Sequence, residues 1–197
     1  MANTAGRARE AARNDETILA AAREVFLADP RAPISAVAER AGVGIGALYR
    51  RYAGKEDLLR TLCHDGLRRF IAEAERASRE DDDWTAFETF LRAVVDADVH
   101  SLTVHLAGTF VPTAQMNADA VRAKELATTL FSRARRYFRP GAVPDDITML
   151  LEMCAAGRAR EFRRRYVVVL LDGMRAGGEM PGPPPAGAAL GRRWGKP

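Results

Sequence analysis

Residues 34–52 read ISAVAERAGVGIGALYRRY, and this stretch decides the architecture. Its spacing predicts two short helices, Ile34 to Ala41 and Ile45 to Tyr52, joined by a tight turn at Gly42. Two helices that cross closely need a small side chain where they touch, and Ala38 supplies it. The turn needs a backbone conformation that glycine adopts without steric cost, and Gly42 supplies that. Val37, Ala41, Val43 and Leu48 are the apolar positions that anchor both helices. The whole reads as a helix-turn-helix unit.

Working outward, the preceding residues give an amphipathic helix from Asp15 to Ala28. Ile18, Leu19, Ala22, Val25 and Phe26 share one face of it. Asp29-Pro30 stops it, because the residue before proline avoids the helical region. After the unit, a fourth helix starts near Gly54 and runs to Ala77, with Leu59, Cys63, Leu67, Phe70 and Ala74 as a long apolar stripe. Glu56 and Asp57 lie in its first turn, where acids favour the positive helix end. Residues 1–14 carry no such periodicity and are expected to form a disordered arm.

The remainder also reads as helices. Residues 78–83 are an acidic connector, with Asp83 as the expected N-cap of a helix from Trp84 to about Ser101 carrying Phe87, Phe90, Leu91, Val94 and Val95. A shorter helix is expected before Pro112, and another from Ala118 to Phe138. Ile147, Leu150, Leu151, Cys154 and Ala155 mark a helix opening at Pro144 and closed by Gly157. Phe162, Tyr166, Val169, Leu170 and Gly173 mark a last one, from Arg160 to Ala176. Beyond Gly177-Gly178 lies a Gly/Pro-rich tail that buries little. No alternating strand pattern occurs. The expectation is an all-α chain of about nine helices: an arm over 1–14, a helix-turn-helix domain over 15–56, a helical domain over 57–176, and a disordered tail over 177–197.

Composition narrows the function classes. The chain has 197 residues, 47% hydrophobic and 28% charged, with a net charge of +4. That balance is ordinary for a globular protein, and the mild positive excess is compatible with nucleic acid. No apolar run reaches membrane-spanning length, and the N-terminus lacks the apolar stretch of a secretory signal, so a cytoplasmic protein is expected. The two cysteines, Cys63 and Cys154, sit among apolar neighbours and read as buried, reduced thiols. No nucleophile elbow, phosphate-binding loop or zinc-protease motif is present, so no enzymatic activity and no cofactor are expected. His100 and His105 lie about 140° apart around a helix and do not share a face, so no metal site is expected. The arginines at 158, 160 and 163–165 read as a solvated rim that pairs with acids of a partner subunit, and Arg133, Arg135, Arg136 and Arg139 read the same way.

From Ile18 to Leu59 the chain resembles the TetR family of bacterial regulators. Val37-Ala38-Glu39-Arg40-Ala41-Gly42-Val43 and the run Leu48-Tyr49-Arg50-Arg51-Tyr52-Ala53-Gly54-Lys55-Glu56-Asp57-Leu58-Leu59 carry the likeness. The resemblance implies that the third helix enters the DNA major groove as the recognition helix, Tyr49 and Lys55 each meeting a backbone phosphate. Gly44, Ile45, Gly46, Ala47, Tyr49, Arg50, Arg51 and Lys55 form the implied DNA-facing set. An arginine at 50 or 51 can grip guanine bidentately or bind phosphate. Three positions depart from the family pattern: Gly44 stands where Ser or Thr often caps the recognition helix, Ala47 where Thr is common, and Pro33 in the cap region of the second helix.

The resemblance further implies a homodimer that binds a two-fold operator and is released by a small-molecule effector, hence a repressor. The last two helices would form the dimer interface. The implied effector cavity is lined by Trp84, Phe87, Phe90, Val94, His100, Thr103, His105, Phe110 and Met116. The alternative is a helical small-molecule binder or interaction protein with a vestigial helix-turn-helix.

Overall fold

The computed structural model describes residues 2–98, 106, 109–156, 160–175 and 177–185, with side chains from Asn14 onward except those of residues 156 and 160. Eight α-helices occur among the described residues, and no strand. They are α1 (Ala2–Ala28), α2 (Ile34–Ala41), α3 (Ile45–Arg51), α4 (Lys55–Ala77), α5 (Asp83–Asp96), α6 (Ala114–Ala134), α7 (Pro144–Ala156) and α8 (Arg160–Arg175). A 3-10 turn, Arg135–Tyr137, follows α6. The all-α expectation holds. The backbone forms two compact units, one of residues 1–64 with 109–111, the other of 65–108 with 112–197. The shorter helix expected before Pro112 falls mainly outside the described residues.

The first unit is built on α1, α2, α3 and the start of α4. Ile18, Ala22 and Phe26 of α1 are fully buried, as are Val37 of α2, Leu48 of α3 and Leu58 of α4. The apolar face expected for α1 is therefore the one that packs. The helix itself starts at Ala2 rather than near Asp15, within the stretch 1–14 read as an arm. Alanine and arginine, frequent in that stretch, have high helix propensity, which apolar spacing does not register.

The turn between α2 and α3 follows from Gly42. Its φ of 67° and ψ of 27° put it in the left-handed region. Gly42 N–H donates to Glu39 O at 3.1 Å and Val43 N–H to Ala38 O at 3.0 Å. These paired bonds are the Schellman closure of a helix end. They send the chain directly into α3 while Ala38, 4% exposed, stays in the core.

In the second unit, Phe87 and Phe90 of α5 are fully buried. Phe87 lies edge-on to Phe138 at 4.9 Å between centroids, and Phe138 stacks on Phe131 at 4.6 Å. Truncating Phe87 to alanine would cost about 3–5 kcal/mol. The N-cap of α5 is Asp82 rather than Asp83: its carboxylate accepts from Thr85 N–H at 2.7 Å. Asp83 faces inward instead, where Arg133 Nε donates to it at 2.9 Å. The helix ends at Asp96, earlier than expected, with Asp98 at a positive φ of 52°. Helix α6 begins earlier than expected, at Ala114, because the Thr113 hydroxyl accepts from Met116 N–H at 3.2 Å and caps it.

The apolar stripe expected on α7 to face a partner is inside the subunit. Ile147, Leu151, Cys154 and Ala155 are all buried, with Ile147, Leu151 and Cys154 in the same core cluster as Phe87. Helix α8 divides differently. Val167, Leu171 and Met174 pack inward, while Phe162, Tyr166 and Val169 are 54%, 53% and 59% exposed.

Several arginines expected on a solvated rim are bound within the chain. Arg163 is 9% exposed and paired with Asp98, and Arg164 Nε donates to Asp96 at 2.6 Å. Arg133 reaches Ser78 O at 3.0 Å and Glu80 O at 2.6 Å, beyond the end of α4. Residues 177–185 are irregular.

Candidate nucleic-acid interface

Helix α3 presents a small, exposed outer face. Its buried residue is Leu48, and this one anchor turns the opposite side to solvent. Ile45 is 42% exposed and Tyr49 54%. Gly44, Gly46, Arg50 and Arg51 are exposed, and Ala47 is half-buried. The structure thus brings six of the expected DNA-facing residues onto one short element, with Gly44 as its N-cap.

Gly44 precedes α3 with extended backbone and no side-chain cap. Its carbonyl accepts from Ala47 N–H at 2.8 Å, closing the first turn. Pro33 precedes α2 in the same way, without a side-chain cap, its carbonyl accepting from Ala36 N–H at 3.1 Å. Both departures from the family pattern therefore leave helix ends closed by backbone alone. A Cβ built on Gly46 would lie 3.7 Å from Arg50 Nη1, so the Arg50 side chain leans back along the outer face over Gly46. Among the described residues Arg50 makes no hydrogen bond or ion pair.

Arg51 behaves differently. Its guanidinium is paired with the Asp15 carboxylate of α1. Asn14, Ala47, Arg50 and Arg51 line one surface hollow. Tyr52, the next residue, is 5% exposed, and burial raises its phenol above the ordinary value. It is a packing residue, in contrast to Tyr49.

Lys55 is held inside the unit. Its ammonium donates to Pro30 O at 2.9 Å and Ala32 O at 2.7 Å, and lies over the Phe26 ring at 5.2 Å. An ammonium has three donors, so one N–H remains for an outside acceptor. Sequence reading missed this staple because its partners are backbone carbonyls, which no residue pattern reveals. Nearby, Arg60 Nε donates to Val111 O at 3.1 Å and Arg60 Nη2 to Glu56 at 2.9 Å. On the other side, Arg40 Nε donates to Glu24 at 2.6 Å and ties α2 to α1.

Of the residues expected to line an effector cavity, six are described. Trp84, Phe87 and Phe90 are buried in the aromatic core, Trp84 also carrying Arg175 over its ring at 4.4 Å. Val94 borders a small cavity with Val95, Asp98, Leu151, Cys154, Ala155 and Arg163. That space holds roughly one water molecule. Phe110 and Met116 are each buried, in the first and second unit respectively. His100, Thr103 and His105 lie outside the described residues.

Cys63 and Cys154 are buried free thiols, and burial pushes the Cys63 thiol up to about 12. Among the described residues no group of three or more His, Cys, Asp or Glu side chains could hold a metal ion, and no helix is long and apolar enough to cross a membrane.

Residues 18–62 match the family described as bacterial regulatory proteins, tetR family. No curated relative matches the chain in sequence. Solved structures match along most of its length. The TetR family transcriptional regulator PfmR from Thermus thermophilus is 20% identical, with a TM-score of 0.63 over 81% of this chain and 96% of that one. LfrR from Mycobacterium smegmatis, in complex with proflavine, is 23% identical, with a TM-score of 0.61 over 84% and 98%. The TetR transcription regulatory protein from Mycobacterium vanbaalenii is 25% identical, with a TM-score of 0.59 over 85% and 98%.

Proposed function

Because the chain belongs to the TetR family, by its residues 18–62 and by its fold along most of its length, we propose that this regulator is a repressor that binds a two-fold DNA operator as a homodimer and is released by a small-molecule effector. The observation that carries the DNA-binding part is the outer face of α3. Tyr49 and Ile45 are exposed there and Arg50 has no partner among the described residues, on a helix seven residues long fixed by Leu48 and the Gly42 turn. A face of that kind has no packing role, and its chemistry suits a groove: a phenol for phosphate and a guanidinium for guanine or phosphate.

One such helix reads few base pairs, so the proposal includes two-fold pairing. Support comes from α8, whose Phe162, Tyr166 and Val169 form an exposed apolar stripe of the kind that marks an interaction site. The interface is assigned to this stripe together with the exposed Met153 of α7. The buried stripe of α7 takes no part in it.

The effector role rests on linkage. A ligand that binds better to a form whose recognition helices are spaced wrongly for the operator lowers DNA affinity by the same factor. LfrR, similar in fold, holds proflavine, which supports a small organic effector here. The regulator would act in the cytoplasm, where the DNA is.

Footprinting on the DNA that flanks the protein's own gene tests the reading. A protected segment with two-fold symmetry is expected, and it should disappear with Tyr49→Phe combined with Arg50→Ala. Binding that is salt-sensitive but indifferent to sequence would overturn it.

A further inference from the structure

We infer that Asp15 of α1 is an internal counter-ion that withholds Arg51 from DNA phosphate, leaving Arg50 as the arginine that α3 offers to the duplex. The inference rests on the DNA-binding reading above and adds a positioning residue to it, on a helix other than the recognition helix.

Two adjacent arginines end α3, and both line the same hollow with Ala47 and Asn14. The sequence treats them alike; the structure does not. Arg51 Nη2 is paired with Asp15 Oδ2. The other oxygen, Asp15 Oδ1, is buried and has no hydrogen-bond partner among the described residues. The carboxylate is therefore partly cut off from water and depends on the guanidinium for compensation. Drawing Arg51 away towards a phosphate would strand a partly buried anion, which costs more than opening a fully solvated pair. Arg50 has no such tether among the described residues. A phosphate entering the hollow meets one uncompensated guanidinium, with the negative charge of Asp15 close behind the other.

The consequence concerns specificity. Every arginine that settles on phosphate adds affinity that is blind to sequence. Occupying Arg51 internally trims that contribution and leaves more of the discrimination to contacts made by the rest of the α3 face. Removing the Asp15 charge should therefore make the protein bind DNA more tightly and less selectively.

The test measures affinity for a mixed-sequence DNA duplex at a series of salt concentrations, with the full chain. Asp15→Asn keeps the shape, and Asp15→Ala guards against an amide that still holds Arg51. Helical content and unfolding midpoint are recorded for each. With Arg51 released, the slope of log affinity against log salt should steepen by about 0.9, the increment of one added phosphate contact. Adding Arg51→Ala to Asp15→Asn should return the slope to that of the unaltered protein. An unchanged slope in both single variants overturns the inference. So does a steeper slope that survives Arg51→Ala, since loss of an acid near DNA would then explain it without any release. If the unaltered protein binds no duplex at all, the regulator reading itself fails, and this inference with it.

Discussion

Lys55 Nζ donates to Ala32 O at 2.7 Å and so ties the first turn of α4 to the loop between α1 and α2. The loop has few other means of closure. Pro33 supplies no side-chain cap to α2, while the Asp29 carboxylate accepts from Arg31 N–H at 2.8 Å and its carbonyl from Ala32 N–H at 3.0 Å. The lysine bonds two carbonyls of that loop while resting on Phe26. It is thus a structural staple of the head, whatever its remaining N–H meets.

Lys55→Ala should for this reason lower stability by about 2 kcal/mol, the range for hydrogen bonds from a charged donor in a half-buried setting. A denaturant titration would register it as a lower midpoint with an unchanged slope. An unchanged midpoint would remove the staple role. Any loss of DNA binding in this variant is then to be read against the loss of stability.

Tyr49→Phe should do the reverse. The side chain is 54% exposed, so the unfolding midpoint should stay within about 0.5 kcal/mol of the original. Loss of a hydroxyl bond to phosphate should weaken duplex binding about fivefold, equivalent to about 1 kcal/mol. Fluorescence anisotropy with labelled duplex, beside a thermal melt of the same samples, separates the two quantities.

Phe162→Asp combined with Tyr166→Glu should give a folded monomer. Both side chains point away from the core that Val167 and Leu171 enter. Sedimentation should report half the original mass, with helical content retained. Val167→Asp, on the inward face, should instead unfold the second unit, because it buries an unpaired charge. A dimer that persists in the double variant would exclude the α8 stripe as the interface.

The buried thiols predict a pH dependence at the alkaline end. Burial raises Cys63 from 9.0 to about 12 in the folded protein. Between those values the unfolded chain has lost the proton and the folded chain has kept it. The contribution to stability is therefore complete below the unfolded value and is lost as pH rises towards the folded one. Cys63→Ala should flatten the decline in unfolding midpoint over that window. At neutral pH a thiol-specific reagent should leave both cysteines untouched until denaturant is added.

The sequence by itself determined the head. Gly42 needed a left-handed turn, Ala38 a close approach, and Leu48 a place in a core; those requirements are local, and the structure meets each one. It also marked apolar faces on nearly every helix, because 3.6-residue spacing is written along the chain. Tertiary structure alone decided what those faces meet. The stripe of α7 turned inward while that of α8 divided between core and solvent. Periodicity identifies a face and says nothing about its neighbour. Charges were less legible still. Arg51 pairs with Asp15, Arg163 with Asp98, and Arg133 with Asp83 across long stretches of chain, and Lys55 bonds carbonyls that every residue possesses. An ion pair depends on where two distant backbones come together, and that position is set by packing of the whole unit rather than by any spacing within one segment.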